Sequence, residues 1–120
     1  MEAFHLSRPQ VEFIQYQSIK PELIGGSVKG LSQRVISQDS ELGDLARILE
    51  FEPGTDTSSN GVQVHDYWEE IYIIDGSVID LTLNKEFTKG MVASRPPGME
   101  HGPWKSLEGC TMFEVRYYKK

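Results

Sequence analysis

The chain has a single cysteine, Cys110, among its 120 residues, so no disulfide can close within it. That sets aside the cross-linked secreted scaffolds and suits a reducing compartment. Cations are scarce as well: 12 Lys and Arg stand against 18 Asp and Glu, a formal net charge of -6. A surface of that sign does not attract phosphate backbones. No basic run interleaves with aromatic residues, so nucleic acid is not an expected partner. No apolar run reaches bilayer-spanning length. The opening residues, MEAFHLSRPQVEF, have neither the basic start nor the apolar stretch of a signal peptide. The expected setting is the cytoplasm, with no membrane partner. Internal repeats, low-complexity tracts, a phosphate-cradling glycine loop and a GxSxG elbow are also missing, so these routes to chemistry are closed.

What is present is an ordinary globular composition, apolar enough for one hydrophobic core and too apolar for disorder. Residues 1–30 read as an N-terminal arm with one edge strand, placed at residues 11–14. Residues 31–120 read as a β-barrel. Residues 31–37 and 45–51 are strand-like and joined by the polar SQDSELGD. The run LARILEF also fits a short amphipathic helix, but turn residues at both ends favour a hairpin. After Pro53-Gly54 and the loop TDTSSNG, short β-rich runs follow at 62–65, 69–74, 78–83, 86–87, 91–95 and 111–118. Asp75-Gly76 has the composition of a hairpin turn. The expected fold class is all-β, an antiparallel sandwich or barrel.

Two segments carry the chemistry, QVHDYWEEIYIIDG (63–76) and GMVASRPPGMEH (90–101). Side chains alternate across a strand, so Gln63 and His65 share a face. The connector Asp66-Tyr67-Trp68 lets Glu69 return beside His65. Pro96-Pro97-Gly98 is a rigid turn that presents His101 from a different strand. Two imidazoles and a carboxylate, with Gln63 as a fourth donor, suit a mononuclear divalent metal with open positions. An amide oxygen is a weaker and harder ligand than imidazole, so Gln63 either binds weakly, only orients water, or leaves the site too poor to hold metal.

The first segment resembles the first cupin motif. His65, a three-residue spacer, Glu69, six residues and Gly76 all fall in place, and Gln63 stands where the family has its first His. The second resembles the second cupin motif at Gly90, Pro96, Gly98 and His101, with Lys105 where an Asn often closes it. Within that superfamily, HDYWEEIYIIDG, RPPGMEHGPW and EGC look like the small single-domain cupins similar to the metal-binding domain of ChrR-type anti-sigma factors. Dioxygenases acting on dihydroxyacetophenone or 1,3-diketones have related architecture. The resemblance implies a jelly-roll β-barrel (double-stranded β-helix), commonly a homodimer. It also implies a divalent metal: Fe2+ from the two-His, one-carboxylate grouping, or Mn2+, Zn2+, Ni2+ or Cu2+.

Other residues keep two readings. Trp68 and Trp104 flank the motifs and either pack the core or wall a substrate pocket with Arg95. Glu114 and Arg116 share one face of the last strand. Facing inward they are a general base and an anion anchor near the metal; facing outward they are surface charges. Tyr72 falls on the face opposite Glu69, and Glu70 is a solvated or interface charge. Cys110 reads as a small buried hydrophobe and His5 as an exposed arm residue. The expectation is a metal-dependent enzyme on a small, oxygen-chelating substrate (enol, diketone or hydroxyketone), of dioxygenase or related C–C cleaving or isomerising type. The alternative is a non-catalytic cupin that binds a metal or ligand as a sensor or regulatory module.

Overall fold

The structure is a computed structural model that describes residues 7–118; the reading of His5 falls outside them. These residues form ten strands and two single-turn 3-10 helices (Tyr16–Ser18 and Ser58–Asn60), with no α-helix among them. The strands are β1 (Glu22–Leu23), β2 (Leu31–Gln38), β3 (Leu45–Phe51), β4 (Gln63–Val64) and β5 (Trp68–Asp80). They continue with β6 (Lys85–Thr88), β7 (Val92–Arg95), β8 (Glu100–His101), β9 (Trp104–Lys105) and β10 (Cys110–Tyr117). All pairings are antiparallel. The order β1-β2-β3-β10-β5-β6 is extended by β7 and β9, both on β5, and β4 pairs with β8 separately. This is the jelly-roll arrangement, with β5 common to both walls.

The dual role of β5 depends on a corner. Residues 68–76 lie between β10 and β7, whereas Ser77–Asp80 lie between β6 and β9. Gly76 turns the strand at φ 77°, with a register shift opposite Thr111 and Met112. Asp75-Gly76 is therefore not the hairpin turn its composition suggests. The same dipeptide bends one long strand, as glycine does at barrel corners. A second difference lies in the arm: residues 11–14 form no strand, Phe13 is 99% exposed, and the edge strand is Glu22–Leu23 instead. The arm is held by Arg34, whose Nη1 donates to the carbonyls of Gln17 and Ile19. LARILEF is a strand, paired on both sides, because its apolar residues find β2 and β10.

Directly opposed residues in antiparallel strands share a face, so the register sorts the interior into rows. One row runs Arg95–Glu69–Arg116 across β7, β5 and β10. The next runs Ala93–Ile71–Glu114–Arg47, reaching β3. Below it lie Ile73, Met112 and Leu49. Polarity thus falls from row to row. The apolar end joins Val28, Leu31, Phe51, Val78 and Cys110 in one buried cluster, and burying each large side chain stabilises the fold by about 1.5–3 kcal/mol. Cys110 is 4% exposed, and burial pushes its thiol up to about 11, which makes it a packing residue.

A Cβ at Gly76 would collide with the carbonyl oxygen of Gly109, while one at Gly90, also at positive φ, meets nothing within 4 Å. Gly90→Ala is expected to cost about 1 kcal/mol, the backbone term alone. Gly76→Ala is expected to cost about 3 kcal/mol or more, because the corner must shift. Urea denaturation of the two variants checks this, and equal midpoints would refute the corner role.

Candidate metal centre and its cavity

His65, Glu69 and His101 converge at one end of the barrel, where their donor atoms all lie within 4.8 Å of one another. Local structure explains each position. Glu69 follows the parity of β5, which turns Glu69, Ile71 and Ile73 inward and leaves Glu70 and Tyr72 exposed. His65 leaves β4, and its carbonyl accepts from the amide of Gly98 at 2.8 Å, which ties the Pro-Pro-Gly turn to the first segment. His101 ends β8, opposite Gln63 in register. Its loop is held by Asp80, 1% exposed, whose Oδ2 accepts from the amide of Gly102 at 3.2 Å.

The donor set fits a divalent cation. Burial first, and then the Arg116 charge, lower the pKa of His65. Burial and Arg95 push His101 down to about 4. Both imidazoles are thus neutral and offer lone pairs, with ring centroids 4.8 Å apart. Each imidazole offers one nitrogen, and Glu69 an oxygen, all within 4.8 Å of one another, the nitrogen-and-carboxylate set that a divalent cation takes. Glu69 is 4% exposed, and its carboxyl is raised to about 7 by burial and then by the charge of Glu114, with which it also shares a hydrogen bond. A cation at the triad would reverse that shift.

The triad opens on a cavity of about 420 Å³, a size suited to a small organic molecule. Gln63, Arg95, Trp104, Glu114 and Arg116 line it with the triad. Gln63 is fixed through Nε2, which donates to the carbonyl of Asn60 at 3.2 Å; its amide oxygen is the atom left for a cation or water. Trp68 is elsewhere. It takes the outer face of β5 and stacks on Tyr117, rings 6.4 Å apart and 8° from parallel, so of the two Trp residues only Trp104 walls the cavity. The two readings of Glu114 resolve inward, since it is 2% exposed. Oε1 of Glu114 accepts from Arg47 Nε at 2.8 Å and also from Nη2, and Arg47 Nη1 donates to Gln33 at 2.7 Å.

Two cavity residues escape a motif-based reading. Arg47 could have been found by parity: Leu45, Arg47, Leu49 and Phe51 share one strand face, and an arginine in an apolar row needs an acid partner. Tyr67 sits in the connector and gives no such signal. Its ring packs against the imidazole of His65 at 4.5 Å, and the Arg116 guanidinium lies 4.1 Å from its centroid.

No protein-family model matches the chain, and no curated protein matches it. Solved structures do. The chain is similar to an RmlC-like cupin from Shewanella frigidimarina at 20% identity and TM-score 0.70, covering 96% of each chain. It is similar to an acetylacetone dioxygenase from Acinetobacter johnsonii at 10% identity and TM-score 0.72, over 98% of this chain and 80% of that one. It is also similar to a chain of the SigE complex with the anti-sigma ChrR from Rhodobacter sphaeroides, at 18% identity and TM-score 0.61. That likeness covers 84% of this chain and 51% of the other. The architecture is an all-β jelly roll with a polar mouth. The fold is that of the cupins.

His101→Ala is expected to weaken divalent-metal binding by at least about 100-fold while far-UV circular dichroism stays unchanged. Gln63→His is expected to tighten it. Metal content of dialysed protein, measured by elemental analysis, decides both; full occupancy in His101→Ala would remove His101 from the site.

Proposed function

We propose that the protein is a metal-dependent enzyme acting on a small organic molecule that chelates through oxygen: an enol, a 1,3-diketone or a hydroxyketone. The observation behind this reading is the convergence of two neutral imidazoles and a buried carboxyl at the mouth of a largely apolar cavity. His65, Glu69 and His101 would hold the ion, with Gln63 as a weak fourth donor. Fe2+ suits two imidazoles and one carboxylate best. When bound, the ion would supply Lewis-acid polarisation of the substrate's oxygens and, if iron, access to dioxygen chemistry.

The chain's own contribution lies one row below. Arg47 engages Oε1 of Glu114, and Glu69 shares a hydrogen bond with the same carboxyl. With Glu69 turned to a cation, Glu114 would be left to take a proton from an acidic C–H placed above it. The apolar rows beneath exclude water and seat a hydrocarbon body. The acetylacetone dioxygenase of the same fold supports the choice of substrate class, and the ChrR likeness supports the competing reading of a regulatory module. The buried Glu114–Arg47 pair favours the enzyme, because it is costly to bury and contributes no more to a binding module than an apolar pair would.

The test begins with elemental analysis of protein purified without chelator or affinity-column metal, followed by oxygen uptake and product analysis on 1,3-diketones and hydroxyketones. Bound iron with turnover is the expected outcome, and Glu114→Gln is expected to keep the metal while losing at least about 100-fold in rate. Metal retained with no turnover of any compound would overturn the enzyme reading in favour of a binding module.

We also propose a cytoplasmic homodimer that uses the arm, where Phe13 is 99% and Leu23 84% exposed. Light scattering is expected to give twice the monomer mass, and Phe13→Ser is expected to raise the dissociation constant at least tenfold. A monomer at all concentrations would refute it.

A further inference from the structure

The charge inside the cavity is opposite to that of the chain. The protein carries a formal -6, yet the charged cavity-lining residues are three arginines (Arg47, Arg95 and Arg116) against two glutamates (Glu69 and Glu114). Even with both carboxyls ionised the lining is cationic, and a divalent ion at the triad adds to that. A low-dielectric pocket of this sign concentrates anions.

Only one of the three arginines is neutralised by a direct partner. Arg47 forms its ion pair with Glu114 at the second row. Arg95 and Arg116 flank Glu69 in the mouth row, one on each neighbouring strand. Neither makes an ion pair within 4 Å among the described residues. Each is braced by a ring instead. The Arg95 guanidinium lies 4.9 Å from the centre of Trp104, and that of Arg116 lies 4.1 Å from the centre of Tyr67. Stacking fixes the plane of a guanidinium through its face and leaves its N–H edge for an acceptor. Nε of Arg116 is buried with no hydrogen-bond partner, and an unsatisfied buried donor is costly unless a ligand supplies the acceptor.

We propose that the ligand of this cavity is an organic acid, an enolisable oxo carboxylate with a short apolar chain, whose carboxylate is held by Arg95 and Arg116. Planar, preorganised guanidinium edges match a carboxylate better than they match a neutral ketone oxygen. The oxo group lies toward the triad, and the hydrocarbon chain runs down to Leu49, Ile73 and Met112, the apolar row two steps below Glu69. Placement of the oxo group rests on the proposed metalloenzyme reading. Recognition of the carboxylate does not, since it needs only the two arginines.

Trp104 reports on the site, because it is one of only two tryptophans and stacks on Arg95. In Trp68→Phe protein, which leaves Trp104 as the sole emitter, fluorescence is titrated with 2-oxohexanoate and with its uncharged amide. Each titration is run on protein as purified and again after dialysis against chelator. The acid is expected to bind at least tenfold tighter than the amide in both states. That preference is expected to collapse in Arg95→Gln and in Arg116→Gln, with metal content and circular dichroism unchanged. Equal affinity for acid and amide in the parent protein overturns the proposal without any appeal to the variants. A preference that disappears on metal removal also overturns it, since the ion alone would then hold the carboxylate. Acid preference in a protein that never carries metal leaves this assignment standing while the metalloenzyme reading falls.

Discussion

The pairing of β5 with both β10 and β7 is the constraint on which the rest of the molecule depends. Once Glu69 lies between Arg95 and Arg116, alternation along β7, β10 and the first half of β5 places the rows beneath it. A slip of one residue would send Glu114, Arg116 and Met112 outward and bring Phe113, Val115 and Tyr117 in. The bend at Gly76 lets the same strand serve the second wall. There it carries Asp80, whose carboxylate holds the loop that follows His101. One strand therefore supplies a proposed ligand, an anchor for the loop of another, and the corner that brings the walls together.

Electrostatics follows from that geometry. Burial alone disfavours charge on His65 and His101, and the arginines beside them push in the same direction. For Glu69 burial and Glu114 raise the pKa while Arg47 and Arg95 oppose. The outcome is a pair of neutral nitrogen donors beside a carboxyl poised to lose its proton near neutral pH, inside a pocket lined by three arginines and two glutamates. Such a site is prepared to exchange a proton for a cation.

Much of this was legible in the residue pattern, for reasons that differ from one residue to the next. Gln63, His65 and Glu69 are close in sequence, so short spacers keep them together. His101 comes from a distant strand, where the resemblance to the second cupin motif pointed to it, and the pairing of Gln63 with His101 brings it to the others. Tyr72 and Glu70 were readable from parity, since β5 keeps strict alternation as far as Ile73. The two-sided cases were not. Nothing local tells whether Glu114 and Arg116 face in or out, because both faces of β10 carry apolar residues. The cation that stabilises Glu114 in the interior, Arg47, lies 67 positions away. Trp68 is one residue from Glu69 and for that reason points away from the cavity. Asp75-Gly76 has the chemistry of a tight turn, yet the residues on both sides find partners on other strands, and long-range pairing overrides the local preference.

The sequence by itself determined the chemical inventory: which donors exist, how far apart they lie along the chain, and which side chains share a strand face. These depend on covalent spacing and alternation, which hold wherever the strand ends up. Only the tertiary structure decided which face became the interior, where the long strand bends, and which charges stand unpaired beside the triad. Those outcomes come from contacts between residues distant in sequence, and burial is then the largest influence on the protonation of His65, Glu69 and His101.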